Sequence, residues 1–152
     1  MTSWRSNRPL ALRTGLRLFL GGVFVYAAWL KLREPWMLFA MSVDAYGLLP
    51  QWAVISVART LPWAELLLGL ALLSGKWIRI SSAAAAALLL GFLTAMAFSY
   101  VKGMRIECGC FGSGDIISPR TLARDGSLLA AALVLALLSF RGKASRFSSR
   151  RS

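Results

Sequence analysis

Long apolar runs separated by short charged clusters set the pattern of this chain. The first run, Leu18 to Leu30, lies between Arg17 and Lys31. Its thirteen uncharged residues would span only about 20 Å as a helix, short of a hydrocarbon core of about 30 Å. Extended to Leu10–Leu32, with Arg13, Arg17 and Lys31 reaching polar surroundings along their methylene stems, it makes a full crossing. A second run, Trp52 to Gly75, carries Arg59, Pro62 and Glu65, and Pro62 is expected to kink it or to start a new turn. The third, Ile80 to Val101, is uncharged and holds an alanine stretch at 83–87 whose small side chains allow close helix packing. Lys76 and Arg79 leave so short a connection that runs two and three must form an antiparallel hairpin. The fourth helix is predicted from Pro119 to Phe140, with Ser118 as N-cap and proline in the first helical position.

Between the first two crossings the pattern weakens. Trp36, Phe39, Ala40, Val43 and Gly47 recur at helical spacing, with Pro35 suited to a first turn and Gly47-Leu48-Leu49-Pro50 as a stop. A short amphipathic helix at the membrane interface fits, anchored by Trp36 and Tyr46. The fold expected is therefore all-α: an integral membrane bundle of four transmembrane helices with a short interfacial helix between the first two. A basic N-terminus (1–13) precedes the membrane domain (14–140), and a basic tail (141–152), expected to be disordered, follows it.

Composition agrees with a membrane protein. Apolar residues make up 57% of the chain and charged ones 16%, against about 25% in soluble domains. A basic start with an apolar centre also fits a secretory signal peptide, but three further runs favour an uncleaved first helix. The net charge of +12 does not point to nucleic acid, because the basic residues gather at the ends and between apolar runs rather than in one patch. Eleven Lys and Arg lie at the start, in the 76–79 connection and in the tail, against six at 31, 33, 102, 105, 120 and 124. The positive-inside rule then places both termini in the cytoplasm and the 102–117 loop outside the inner membrane, where disulfides persist.

That loop holds the chemistry. Cys108 and Cys110 are the two cysteines of the chain, one residue apart, and there is no histidine. Extended residues at i and i+2 lie about 7 Å apart, so a disulfide between them needs a turn, which Gly109 permits. A ring so small is strained, and strained disulfides are the more exchangeable kind. It also closes almost no loop, so its entropic contribution to stability is small. Three readings stay open: an exchangeable redox pair, a structural disulfide or packed thiols, and a metal site that Glu107 and Asp115 would have to complete. Lys102, Arg105, Arg120 and Arg124 favour thiolate over thiol, whereas Glu107 opposes it. Cys110, nearer the positive end of the last helix, is the preferred attacker.

Glu65 is an ionisable group near mid-bilayer, about 16 Å from Lys76, and such a group is a functional candidate unless paired. Lys31, about 21 Å along its helix from Arg17, lies at similar depth, so a Lys31–Glu65 ion pair of structural purpose is expected. Asp125 beside Arg124 reads as a cap-and-interface arrangement rather than a proton path.

These residues resemble a known family. Lys31, Pro35 and Phe39, the stretch Tyr46-Gly-Leu-Leu-Pro50, Leu61-Pro62 with Glu65-Leu66 and Gly69, Cys108-Gly-Cys-Phe-Gly112 and Arg124-Asp125 together look like the MauE family, grouped with DoxX-like four-helix membrane proteins. The resemblance covers roughly 14–140 and is most specific at Cys-Gly-Cys-Phe-Gly. It implies a role in methylamine utilisation, in disulfide formation in the small subunit of a periplasmic methylamine dehydrogenase, with a thioredoxin-like or other periplasmic partner bearing exchangeable cysteines. The arrangement is also similar to vitamin K epoxide reductase, yet the spacing here is Cys-x-Cys and no second cysteine pair exists to relay electrons. No cofactor is identified, and a quinone has no support in the sequence beyond that likeness. The favoured function is extracytoplasmic thiol–disulfide exchange through Cys108 and Cys110, with Lys31, Glu65 and Arg124 in support. The alternative is a non-catalytic DoxX-like subunit that anchors or assembles an oxidoreductase complex. A solute transporter using Glu65 and Lys31 finds no broken-helix pair or internal repeat in its favour.

Overall fold

A computed structural model describes residues 4–148. Helix α1 (Trp4–Arg33) is followed by the short α2 (Trp36–Ala45), then α3 (Gln51–Ser74) and α4 (Ile78–Val101). A hairpin of β1 (Glu107–Gly109) and β2 (Gly112–Ile116) leads into α5 (Pro119–Ser148). Among the described residues, Leu10–Arg33, Gln51–Ser74, Ile78–Val101 and Pro119–Arg141 are long and apolar enough to cross a membrane, and α2 lies between the first two.

Local chemistry explains the boundaries. Glu34 precedes a proline, which disfavours helical backbone there, so α1 stops at Arg33. Pro35 is the N-cap of α2, with ψ 128°, rather than a member of its first turn. Helix α3 runs unbroken through Pro62. Ser118 caps α5: its Oγ accepts from the Thr121 N–H at 3.3 Å, while Thr121 Oγ1 accepts from the Ser118 N–H at 2.8 Å. That is a capping box with threonine as the returning partner.

One expectation fails. The tail was expected to be disordered from 141, but α5 continues to Ser148, while 149–152 lie outside the described residues. No proline interrupts 141–148, and extending an existing helix is far easier than nucleating one. Part of the 102–117 loop pairs as a short hairpin.

The bundle is held where α1 crosses α3 and where α4 lies along α5. A Cβ on Gly21 would stand 3.0 Å from the Gly69 carbonyl, and one on Gly69 would stand 2.9 Å from the Gly21 carbonyl. Two backbones therefore touch at this crossing, as small residues allow in membranes. Leu20, Phe24, Leu72, Ala85, Leu128 and Leu135 form the central core. A separate cluster of Tyr46, Met96, Cys108 and Ile117 sits under the hairpin, so one cysteine belongs to the packing at the end of the bundle.

Candidate functional site

The hairpin makes the cysteines unequal. Strands β1 and β2 are antiparallel, with Glu107 opposite Ile116 and Gly109 opposite Gly112, and a bulge falls between Glu107 and Gly109. The extra residues are on β2, where 113–115 face Cys108 alone, and Cys110 begins the two-residue connection. Gly109 has φ 68°, a conformation that costs other residues, and a Cβ there would meet the Phe39 ring at 3.3 Å. Strand β1 thus lies hard against α2. Cys108 ends up 1% exposed, whereas Cys110 remains partly accessible. The Tyr46 hydroxyl, just past α2, donates to the Cys108 carbonyl at 2.8 Å. The Ser42 hydroxyl donates to the Glu107 carboxylate at 3.4 Å. Helix α2 therefore serves as a seat for the cysteine strand.

From below, α5 supplies Arg124. Its Nη1 donates to Asp115 Oδ2 at 2.7 Å and its Nε to Asp125 Oδ1 at 3.0 Å. Its Nη2 faces Cys108 Sγ at 3.8 Å, and its guanidinium lies 4.5 Å from the centre of the Phe111 ring. A planar fork with several donors suits this task, since one group ties both hairpin strands to the helix. Of the four cations named from sequence, Arg124 is the one set against a sulfur. Lys102 stacks on Phe98 at 4.2 Å, and Arg105 and Arg120 are exposed.

The two thiols diverge electrostatically. A hydrogen bond from the Cys110 thiol is the largest influence on Cys108; against the cost of burial, and with the Arg124 charge assisting, it brings the Cys108 thiol down to about 6. The same hydrogen bond, then burial, pushes the Cys110 thiol far above the usual range. Cys110 Sγ also sits 3.7 Å from Met96 Sδ. Burial, followed by the nearby thiols, likewise raises the Tyr46 phenol. The positive group of consequence is thus a guanidinium rather than the helix end, and it acts on Cys108. Cys110 stands out for its accessibility instead.

The structure brings Lys31 and Glu65 together as well, away from the thiols. Lys31 Nζ lies 2.6 and 2.7 Å from the two Glu65 oxygens, and each residue is 3% exposed. The ammonium lies 5.2 Å from the Phe39 ring centre and 5.5 Å from that of Phe92. Lysine side chains lean toward the N-terminus of their helix, so Lys31 reaches back along α1 to meet Glu65 one turn from the Gly21–Gly69 crossing.

Asp125 corrects the sequence reading: at 2% exposed it is buried within the bundle rather than set at an interface. Tyr46 and Met96 also belong to the site and carry no chemical reading in the sequence, while Asp115, read there as a possible metal ligand, accepts from Arg124. Tyr46 and Asp125 did stand within the quoted family motifs, which is the one signal that marked them. Among the described residues no three of His, Cys, Asp and Glu converge as a metal site. The cavity beside Cys110, about 30 Å³, has room for water but not for an organic cofactor.

A family model described as methylamine utilisation protein MauE matches residues 9–138. The methylamine utilization protein MauE of Paracoccus denitrificans is 36% identical over 124 residues, which is 80% of this chain and 66% of that protein. The chain thus spans about two thirds of that relative's length. No solved structure matches. The matched region runs from the first crossing helix to the last and includes the cysteine hairpin with its Arg124 support, and the chain belongs to the MauE family.

Proposed function

We propose that this protein carries out thiol–disulfide exchange at the outer face of the bacterial inner membrane, maturing a periplasmic partner in methylamine utilisation. Both termini are then cytoplasmic and the hairpin extracytoplasmic, as the charge bias favours. The observation that carries the reading is the Arg124 guanidinium 3.8 Å from Cys108 Sγ, beside a second, more accessible thiol. An inert pair has no need of a stabilised thiolate.

The inequality of the thiols suggests their roles. In the disulfide form, a partner thiolate attacks the accessible Cys110 Sγ. The Cys108–Cys110 bond breaks, and Cys108 leaves with the electron pair as a thiolate held by Arg124. A thiol of low pKa is the better leaving group. The partner's second thiolate then attacks its own sulfur in the mixed disulfide, and Cys110 is released. The partner has lost two electrons to the pair, and a disulfide-bearing thioredoxin-like protein would restore the pair by the reverse steps.

Cys108 is the resolving sulfur when the pair is restored, so replacing it with serine should leave Cys110 trapped in a mixed disulfide with the disulfide-bearing thioredoxin-like protein. Non-reducing gels with mass spectrometry are expected to show that adduct for Cys108→Ser and far less for Cys110→Ser. A membrane-impermeant thiol reagent should label the hairpin in intact cells whose outer membrane is permeable. No adduct in either variant, with a functional double-serine protein, would sink the redox reading. The anchoring-subunit alternative would then stand, and the burial of Cys108 at 1% exposure is the observation that favours it.

A further inference from the structure

Between the two charge clusters lies a small cavity of about 30 Å³. Its walls are apolar side chains of α1, α4 and α5 and the Phe111 ring of the hairpin, except at three places, which are Cys110, Asp125 and Glu65. Glu65 is already satisfied, with both oxygens on Lys31. Asp125 is not. Its Oδ1 accepts from Arg124 Nε at 3.0 Å, whereas its Oδ2 is buried with no hydrogen-bond partner. An unpartnered carboxylate oxygen in a buried site costs free energy, and a fold that keeps one beside a thiol calls for an explanation.

We propose that Asp125 exchanges a proton with the Cys110 thiol through this shared cavity. The inference rests on the redox reading and adds the residue that makes Cys110 usable. In the reduced protein Cys110 is held as a thiol, and a thiol is a poor nucleophile. During reoxidation, Asp125 Oδ2 takes the Cys110 proton, directly or through one water. The Cys110 thiolate attacks the accessible sulfur of the incoming disulfide, forming a mixed disulfide and releasing the first partner thiolate. Cys108, already a thiolate, attacks Cys110 Sγ, closing the Cys108–Cys110 bond and releasing the second partner thiolate. Two electrons pass to the partner, and the proton rests on Asp125. In the reverse direction Asp125 returns it to Cys110 as that sulfur leaves.

The charged and titratable groups around Asp125 are Arg124 on its own helix, Asp115 beyond Arg124, Cys108 and Cys110 on the hairpin, Tyr46 beside α2 and Glu65 on α3. Helices α1 and α4 present only apolar side chains to the cavity. Asp125 is also among the causes that raise the Cys110 thiol, after the Cys108 hydrogen bond and burial, which agrees with their proximity.

The test uses purified protein in lipid nanodiscs carrying Cys108→Ser, so that Cys110 reacts alone with a small aromatic disulfide. Adding Asp125→Asn keeps the shape and the Arg124 contact but removes the base. The expected result is a rate at neutral pH lower by about 10²-fold, the smaller end of general-base effects, with the deficit shrinking as pH rises. Asp125→Glu, which keeps a carboxyl, should react much faster than Asp125→Asn, and it carries the comparison with unmodified Asp125 if the asparagine variant does not fold. In a Cys110→Ser background, Asp125→Asn should not slow Cys108. Equal rates with Asp or Asn at 125, or slowing that is the same at every pH, would overturn the role of Asp125 while leaving the redox reading intact. Unmodified protein that exchanges with no disulfide would instead overturn the redox reading itself.

Discussion

Two charge clusters face each other across one cavity, the first buried and the second half-exposed, and they differ in how fully they are satisfied. In the Lys31–Glu65 pair, one ammonium serves both carboxylate oxygens beneath two aromatic rings. In the other, one guanidinium serves Asp115, Asp125 and a cysteine sulfur at once, and a carboxylate oxygen of Asp125 is left over. A saturated pair holds helices together and offers nothing to a reactant. An under-satisfied cluster beside two thiols can move a proton or accept a negative sulfur. The first cluster is architecture, and the second is where chemistry fits.

Breaking the first cluster should give the largest effect on folding. Glu65→Gln or Lys31→Met leaves the other group buried and uncompensated, a cost of about 3–5 kcal/mol. The amount of folded protein in the membrane and its melting in detergent should both fall sharply. The double variant should be milder than either single one, because no lone charge remains. Equal or worse damage in the double variant would mean that the pair does not act as a unit.

This cluster was legible in the sequence because depth in a membrane follows from counting residues along helices of fixed rise. The four crossings and the α5 cap were legible for a related reason, being set by local runs and by Ser118-Pro119. The thiol site was legible only in part. Cys108, Cys110 and Arg124 announce themselves by type and spacing, but their inequality does not. It depends on the irregular register of the hairpin and on Tyr46, Met96 and Ile117 closing over one sulfur, neither of which leaves a periodic trace. Asp125 was misread because adjacent opposite charges near a helix start usually sit at a surface. The burial of Asp125 comes from the rotation of α5 against α4 and the hairpin, a tertiary fact. The extension of α5 to Ser148 went unseen because polar composition alone does not end a helix.

The second cluster can be disturbed more gently. Gly109→Ala forces a methyl group into a left-handed conformation facing Phe39, a cost of about 1–2 kcal/mol. It should loosen the hairpin from α2, raise the exposure of Cys108 to small alkylating agents and leave the four helices intact by circular dichroism. An unchanged labelling rate would show that α2 does not hold the strand.

Smaller still in stability is Arg124→Lys. It keeps a positive charge for Asp125, but one ammonium cannot reproduce the fork that meets two carboxylates and a sulfur together. The Cys108 titration should move up toward the ordinary thiol range while the protein stays folded. An unmoved titration would assign the stabilisation to Cys110 alone.

The comparison rests finally on the claim that this fold makes two adjacent cysteines chemically unequal. The direct measurement is the rate at which each is alkylated by a small haloacetamide in the reduced, unmodified protein across pH, resolved by peptide mass spectrometry. Because a lowered thiol pKa means thiolate persists to lower pH, Cys108 should keep its reactivity down to a midpoint near pH 6. Cys110 should stay protonated and slow until well above the usual thiol range. Two superimposable profiles, both centred near the ordinary cysteine value of about 8.5, would contradict the account.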